Sequence, residues 1–147
     1  MNVVDSCGWL EYFGGGPNAA FFGGALRDVS ELIVPSVSVY EVFKRIVQQR
    51  DEGAALQAVA MMQQGRVVEL SSTLALSAAR LSIEHSLPMA DSIILATARA
   101  NDATLWTQDV DFESVAGVRY VAKNADGAAP KKRKPRIGET DSGPVFW

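Results

Sequence analysis

Acidic side chains are the residues of this sequence best placed to do chemistry. Asp5 ends the apolar run Asn2-Val3-Val4, Asp109 directly follows Leu105-Trp106-Thr107, and Asp111 lies two residues further on. Glu41 and Asp91 fall in the first turns of two helical patterns. Two carboxylates ~4 Å apart at an effective dielectric of ~20 repel by roughly 4 kcal/mol, so acids that converge need protons or a cation. Oxygen donors without histidine or thiolate suit Mg²⁺ or Mn²⁺. Such an ion lowers the pKa of a bound water and can orient a phosphodiester and offset the charge that develops on it.

Other chemistries are poorly supplied. Cys7 is the only cysteine and His85 the only histidine. That excludes an intrachain disulfide, a cysteine-rich zinc site and a two-histidine zinc pair. Gly14-Gly15-Gly16 and Gly23-Gly24 lack the Gly-Lys-Ser/Thr ending of a phosphate loop, and no Gly-x-Ser-x-Gly elbow occurs. Cys7 stands where an aspartyl-phosphate phosphatase or a phospho-receiver would want a second acid, and Lys123 falls after the last strand pattern. Cys7 reads as a small packed side chain and His85 as a helix-end residue.

Each acid also has a structural explanation. Asp5 suits the N-cap of a helix. Glu41 follows Ser38 by three residues, a capping-box spacing, and the helical wheel puts it opposite the apolar stripe. Asp91 complements a helix dipole, and Asp109 and Asp111 suit a turn. Their joint placement is the stronger signal.

The elements that would position them follow from periodicity. Asn2-Val3-Val4-Asp5 reads as a buried strand, and Ser6 as a cap for a helix through Trp9, Leu10 and Phe13. Pro17 suits the start of a second helix reaching Leu26. Leu32-Ile33-Val34 is a strand closed by Pro35. Val39, Val42, Phe43, Ile46 and Val47 repeat at helical spacing. Ala54–Met62 is a helix apolar nearly all round, and Val67–Leu70 a strand. Ser71 and Ser72 cap a helix with Leu74, Ala78 and Leu81, and Pro88 opens another over Met89–Ala100, apolar on most faces and therefore central. Thr104–Thr107 and Val118–Val121 complete the strands. Strands alternating with helices predict an α/β/α sandwich around a parallel sheet of four to five strands. In such sheets sites form at the carboxyl ends of the strands.

At 147 residues the chain has the length of one domain. Its 48% hydrophobic and 21% charged content excludes a wholly disordered chain, a collagen or a coiled coil. No apolar run reaches the ~18 residues of a membrane span. Met1-Asn2-Val3-Val4 meets Asp5 at once, without the basic start and apolar core of a signal segment. A soluble cytoplasmic protein is expected. Residues 1–123 hold nine Lys and Arg against fourteen Asp and Glu, a net of −5, whereas residues 124–147 hold five against three, a net of +2. Composition also shifts near Asn124, so residues 1–123 are expected to form the domain and 124–147 a Gly/Pro-rich basic tail. An acidic body does not attract phosphates by net charge, which again asks for a metal wherever carboxylate and phosphate are to meet.

Four stretches carry a resemblance: Val3-Val4-Asp5-Ser6-Cys7-Gly8-Trp9-Leu10, Ser38-Val39-Tyr40-Glu41-Val42-Phe43-Lys44, Leu87-Pro88-Met89-Ala90-Asp91-Ser92 and Trp106-Thr107-Gln108-Asp109-Val110-Asp111-Phe112. In this order and spacing they resemble a PIN-domain ribonuclease, most closely a VapC-type toxin of a type II toxin–antitoxin system. The resemblance implies a PIN-like fold and an acidic catalytic and metal-binding set of Asp5, Glu41, Asp91 and Asp109. Asp111 would stand nearby, with Ser6 and Thr107 as supporting hydroxyls. It turns the reading of Glu41 from structural to ligand. The activity implied is Mg²⁺- or Mn²⁺-dependent endonucleolytic hydrolysis of RNA by an activated water, leaving 5′-phosphate and 3′-hydroxyl ends. The partners implied are a cognate antitoxin, the RNA substrate and a second copy in a homodimer.

Lys44, Arg45 and Arg99 are candidates for the RNA backbone, and equally what a solvated helix face would show. Met61 and Met62 suit a core or a dimer face. Pro130-Lys131-Lys132-Arg133-Lys134-Pro135-Arg136 suits a solvated tail or an electrostatic tether for RNA, and Phe146-Trp147 an apolar dock. The competing function is a non-catalytic PIN-like module that binds RNA or protein, since so acidic a body has few residues to grip RNA.

Overall fold

A computed structural model describes residues 1–123; the tail, with its basic run and Phe146-Trp147, lies outside the described residues. Five parallel strands form one sheet in the order β3-β2-β1-β4-β5. They are β1 (Asn2–Val4), β2 (Leu32–Pro35), β3 (Arg66–Val68), β4 (Thr104–Thr107) and β5 (Val118–Tyr120). Among the described residues the α-helices are α1 (Ser6–Phe13), α2 (Ala19–Leu26), α3 (Ser36–Gln49), α4 (Glu52–Met62), α5 (Ser72–His85) and α6 (Met89–Ala100). The sandwich expected from alternation is the one found.

Alternation within the strands builds two cores. Successive strand residues point to opposite faces. Val3, Ile33 and Leu105 therefore pack on one side with Leu74, Leu81, Ile94 and Leu95 of α5 and α6. Val4, Leu32 and Val34 pack on the other side with Trp9, Phe22, Val42 and Met62 of α1 to α4. The first strand thus carries a buried run with apolar contacts on both faces, as central parallel strands do. At Gly8 the backbone of α1 comes close to Phe22 and Val4. A Cβ there would sit 2.6 Å from the Phe22 ring and 2.7 Å from Val4 Cγ1.

Several expectations shift. Of the two residues suited to cap α1, Asp5 takes the role, its Oδ1 accepting from the Ser6 amide at 2.8 Å, and Ser6 is the first helical residue. The second helix begins at Ala19 after Asn18, two residues later than Pro17 suggests. Strand β3 stops at Val68, and Leu70 is exposed.

The largest shift is in α3. Strand β2 hands over to the helix at Pro35 without a loop, so Ser38 lies inside the first turns and forms no capping box. The buried positions are Ser38, Glu41, Val42 and Ile46, while Val47 is 38% exposed. The helix is thus rotated about one residue from its apolar stripe, and Ser6 of α1 bonds Glu41 on the buried side. In α4, Met62 is core and Met61 is 45% exposed. Among the described residues no helix is long and apolar enough to cross a membrane.

Candidate metal centre at the carboxyl ends of β1 and β4

The sheet order reverses direction at β1. The chain runs outward from β1 to β2 and β3 on one side, and β4 and β5 fill the other. Ligand crevices in open α/β sheets form at such switch points. β1 and β4 are hydrogen-bonded neighbours with Val4 opposite Trp106, so the residues that follow them emerge side by side. The Asp5 amide donates to the Trp106 carbonyl at 2.9 Å, extending the ladder one residue into the site.

Three aspartates converge there. Asp5, Asp91 and Asp109 each present a carboxylate oxygen, and these oxygens lie within 4.8 Å of one another. The residues are only 3%, 7% and 2% exposed. They come from the end of β1, the first turn of α6 and the segment after β4. At 4.8 Å and an effective dielectric of ~20 each charged pair repels by about 3.5 kcal/mol.

Hydrogen bonds orient the carboxylates of Asp5 and Asp109. Asp5 Oδ2 accepts from Thr107 Oγ1 at 2.8 Å and from Cys7 Sγ at 3.3 Å. Thr107 Oγ1 in turn accepts the Asp109 amide at 2.9 Å. Asp109 Oδ1 accepts the amide of half-buried Asp111 at 3.0 Å and caps the short 3₁₀ turn Val110–Phe112. Asp5 and Asp109 are therefore both helix caps and members of the cluster. The capping explanation and the ligand explanation hold together.

Glu41 is buried close by, yet its oxygens fall outside the mutually close set. Ser6 Oγ donates to Glu41 Oε1 at 2.7 Å, which ties α3 to the residue next to Asp5. The rotation of α3 turns this side chain inward, as its spacing alone does not indicate.

Two further readings are refined. Cys7 is packed as expected, but it also touches the cluster, and its signal was only its position two residues after Asp5. Burial, and then the charge of Asp5, push its thiol well above the ordinary range, so it remains a neutral donor. His85 is the last residue of α5 and is not in the cluster.

The basic candidates separate. Lys44 stands over the Tyr40 ring at 5.7 Å on the exposed side of α3. Arg99 lies in the last turn of α6, about 12 Å along the axis from Asp91 at 1.5 Å per residue, and donates to the Ala116 carbonyl at 3.3 Å. Arg45 lines a cavity together with Cys7.

The donor set fits a hard divalent cation. All three mutually close ligands are carboxylates, the thiol stays protonated, and the only histidine lies elsewhere. Oxygen-only sets of this kind suit Mg²⁺ or Mn²⁺ over zinc or copper.

Comparison with known proteins agrees with the fold. The chain covers 96% of a toxin–antitoxin complex chain from Klebsiella pneumoniae, with 81% of its own length matched, 22% identity and a TM-score of 0.69. It is similar to the Mycobacterium tuberculosis toxin VapC20, described as cleaving the sarcin–ricin loop, at 16% identity, a TM-score of 0.67 and coverage of 79% of this chain and 95% of that one. A DNA-bound VapBC chain from Salmonella typhimurium is similar at 14% identity and a TM-score of 0.63, with 83% of this chain and 98% of that one covered. No curated protein matches in sequence. The family model of the PIN domain matches residues 3–118, a span that includes Asp5, Glu41, Asp91 and Asp109, and the chain belongs to the PIN domain family.

Proposed function

We propose that this chain is a metal-dependent endoribonuclease and the toxin of a toxin–antitoxin pair. The single observation that carries the nuclease reading is the convergence of Asp5, Asp91 and Asp109 to within 4.8 Å at the switch point of the sheet. Nothing in the packing of an α/β sandwich requires three buried carboxylates in one place, and their mutual repulsion is costly without a cation.

Asp5, Asp91 and Asp109 would hold the ion, Mg²⁺ or Mn²⁺. It supplies a lowered pKa for water and charge stabilisation at a phosphoryl oxygen. The chain's own residues do the rest. Thr107 and the Ser6 amide hold the Asp5 carboxylate in one orientation. Ser6 Oγ holds Glu41, the fourth acid, against the site. Hydrolysis needs an acceptor for the proton of the attacking water, and these carboxylates provide it. The departing 3′ oxygen takes up a proton, leaving 3′-hydroxyl and 5′-phosphate ends. A cognate antitoxin, self-association as a homodimer and a cytoplasmic location belong to the same reading, as does the division into a nuclease unit over 1–123 and a basic tail over 124–147.

The test is cleavage of RNA by purified protein. With Mn²⁺ or Mg²⁺ the native chain should yield 5′-phosphate ends, and EDTA or Asp91→Asn should abolish cleavage by at least ~100-fold. Full cleavage by Asp91→Asn in EDTA would reject the mechanism. Induced expression should arrest growth in the native form and not in Asp91→Asn, and co-expression of the antitoxin from the adjacent reading frame should relieve the arrest.

A further inference from the structure

Among the described residues, the buried side-chain polar atoms without a hydrogen-bond partner are Trp9 Nε1, Ser38 Oγ and His85 Nε2. Trp9 belongs to the apolar core beneath α1, and His85 ends α5. Ser38 is different. It is completely buried, and it stands at the edge of the sheet where the acids gather. Extending the register of Val3 opposite Ile33 by two residues sets Asp5 level with Pro35. Ser38 follows Pro35 by three residues, in the first turn of α3. That helix touches both α1, which Asp5 caps, and α6, which carries Asp91.

A helical hydroxyl ordinarily needs no partner from elsewhere, because it can bond back to a carbonyl three or four residues earlier. Thr97 does so to Ile93 at 2.8 Å and Ser92 to Met89 at 2.7 Å. The corresponding carbonyls for Ser38 are those of Pro35 and Val34, and it bonds neither. A buried hydroxyl left in this way destabilises the fold, whereas an alanine at the same place would not. Its presence therefore calls for a partner supplied from outside the packed core.

Glu41 is the nearest candidate by geometry. It lies one helical turn beyond Ser38 and is buried too. Helical side chains lean toward the N-terminus, so a long side chain at position 41 lies over the turn that carries position 38. Glu41 Oε1 accepts from Ser6 Oγ at 2.7 Å, and its oxygens fall outside the mutually close set of three aspartates. A divalent cation among those aspartates attracts this fourth carboxylate and fixes where it rests.

We infer that Ser38 is a positioning residue of the metal centre, whose hydroxyl takes the Glu41 carboxylate as its partner when the aspartates hold a divalent cation. Glu41 is then held from two helices, by Ser6 of α1 and by Ser38 of α3. This rests on the metal-dependent reading and deepens it, since part of the affinity for the ion comes from a residue that touches neither ion nor RNA. Outer-shell partners of this kind typically govern metal affinity by ~10–100-fold.

The experiment uses the full chain with Ser38→Ala, Glu41→Ala and the two together. Mn²⁺ affinity is measured by calorimetry, and melting temperature is followed in EDTA. Ser38→Ala should melt in EDTA at or above the native temperature, because an unbonded buried hydroxyl is gone, and should bind Mn²⁺ about tenfold more weakly. In the Glu41→Ala background the same change should weaken binding further by less than about threefold, because the bond needs both groups. A melting temperature below the native one in EDTA would overturn the inference, giving Ser38 a structural partner that does not depend on the ion. Native Mn²⁺ affinity in Ser38→Ala would overturn it too, and fully additive losses in the pair would break the link to Glu41. Each of these results leaves the metal-dependent reading standing. A native chain that does not bind Mn²⁺ would remove that reading and this inference together.

Discussion

Thr107 donates its hydroxyl to Asp5 Oδ2 at 2.8 Å and accepts the Asp109 amide on the same oxygen at 2.9 Å. One side chain at the end of β4 thus fixes two aspartates from two strands, and it is completely buried. Thr107→Val keeps the shape and removes both bonds. A buried donor and a buried acceptor left without this partner cost about 1–3 kcal/mol each. The variant should unfold at lower urea than the native chain and bind Mn²⁺ at least several-fold more weakly by calorimetry. A native midpoint with native affinity would show that Thr107 does not organise the site.

Glu41 and Ser6 make the corresponding link to α3. In Glu41→Gln the amide oxygen can still accept from Ser6 Oγ, so the fold should hold to within about 1 kcal/mol while cleavage falls by an order of magnitude or more. Glu41→Ala removes the acceptor and opens space beside a buried hydroxyl, a loss of about 1–3 kcal/mol. Chemical denaturation of the two variants separates charge from packing. Equal destabilisation by Gln and Ala would mean that the Ser6 bond is not what holds Glu41.

Gly8 lets α1 sit directly on the sheet, one turn beyond Asp5. An added methyl meets the Phe22 ring at 2.6 Å and Val4 at 2.7 Å, separations that require movement. Overpacking of this kind costs about 1–3 kcal/mol. Gly8→Ala should lower the melting temperature by several degrees and displace Asp5 with the helix, weakening Mn²⁺ binding. A native melting temperature would show that α2 yields freely.

Much of this was legible in the sequence, and the exceptions have physical causes. Alternating strand and helix patterns gave the parallel sandwich, because periods of 2 and 3.6 report burial directly. The aspartates could be placed because they stand next to strands or in a first turn, where chain position and space are tightly coupled. Glu41 could not be aimed from the sequence, since α3 is packed on both sides and its rotation is a tertiary outcome. Asp5 and Ser6 both suit the cap of α1; Asp5 takes it, and the Ser6 hydroxyl bonds Glu41. Cys7 and Gln108 sit inside stretches that carry the resemblance without being among its acids or hydroxyls, and the cavity they line together is a tertiary outcome.

Cys7 gives the pH dependence. Its thiol is pushed well above the ordinary range, first by burial and then by Asp5. The unfolded chain loses this proton near pH ~8.5 whereas the folded chain keeps it. Above that pH the unfolded state binds fewer protons than the native one, so stability falls as pH rises, by up to about 1.4 kcal/mol per unit until the folded thiol ionises. Below pH ~8 this contribution is fully present. Comparing urea midpoints at pH 7.5 and 9.5 for the native chain and Cys7→Ala isolates it: the native chain should lose more. Parallel losses in both would place the alkaline sensitivity elsewhere.

The acid cluster itself makes the broadest prediction. With oxygens of Asp5, Asp91 and Asp109 within 4.8 Å of one another, removing one charge should relieve repulsion. In EDTA, Asp91→Asn should therefore melt at or above the native temperature, although it is the variant expected to lose cleavage. Added Mn²⁺ should reverse the order. A ligand at ~100 times its Kd adds about 2.7 kcal/mol to a native state that alone binds it, which for a domain of this size is a rise of several degrees or more. The native chain should show that rise and Asp91→Asn little of it. A native melting temperature indifferent to Mn²⁺ and Mg²⁺ would mean that the three carboxylates are tolerated without an ion.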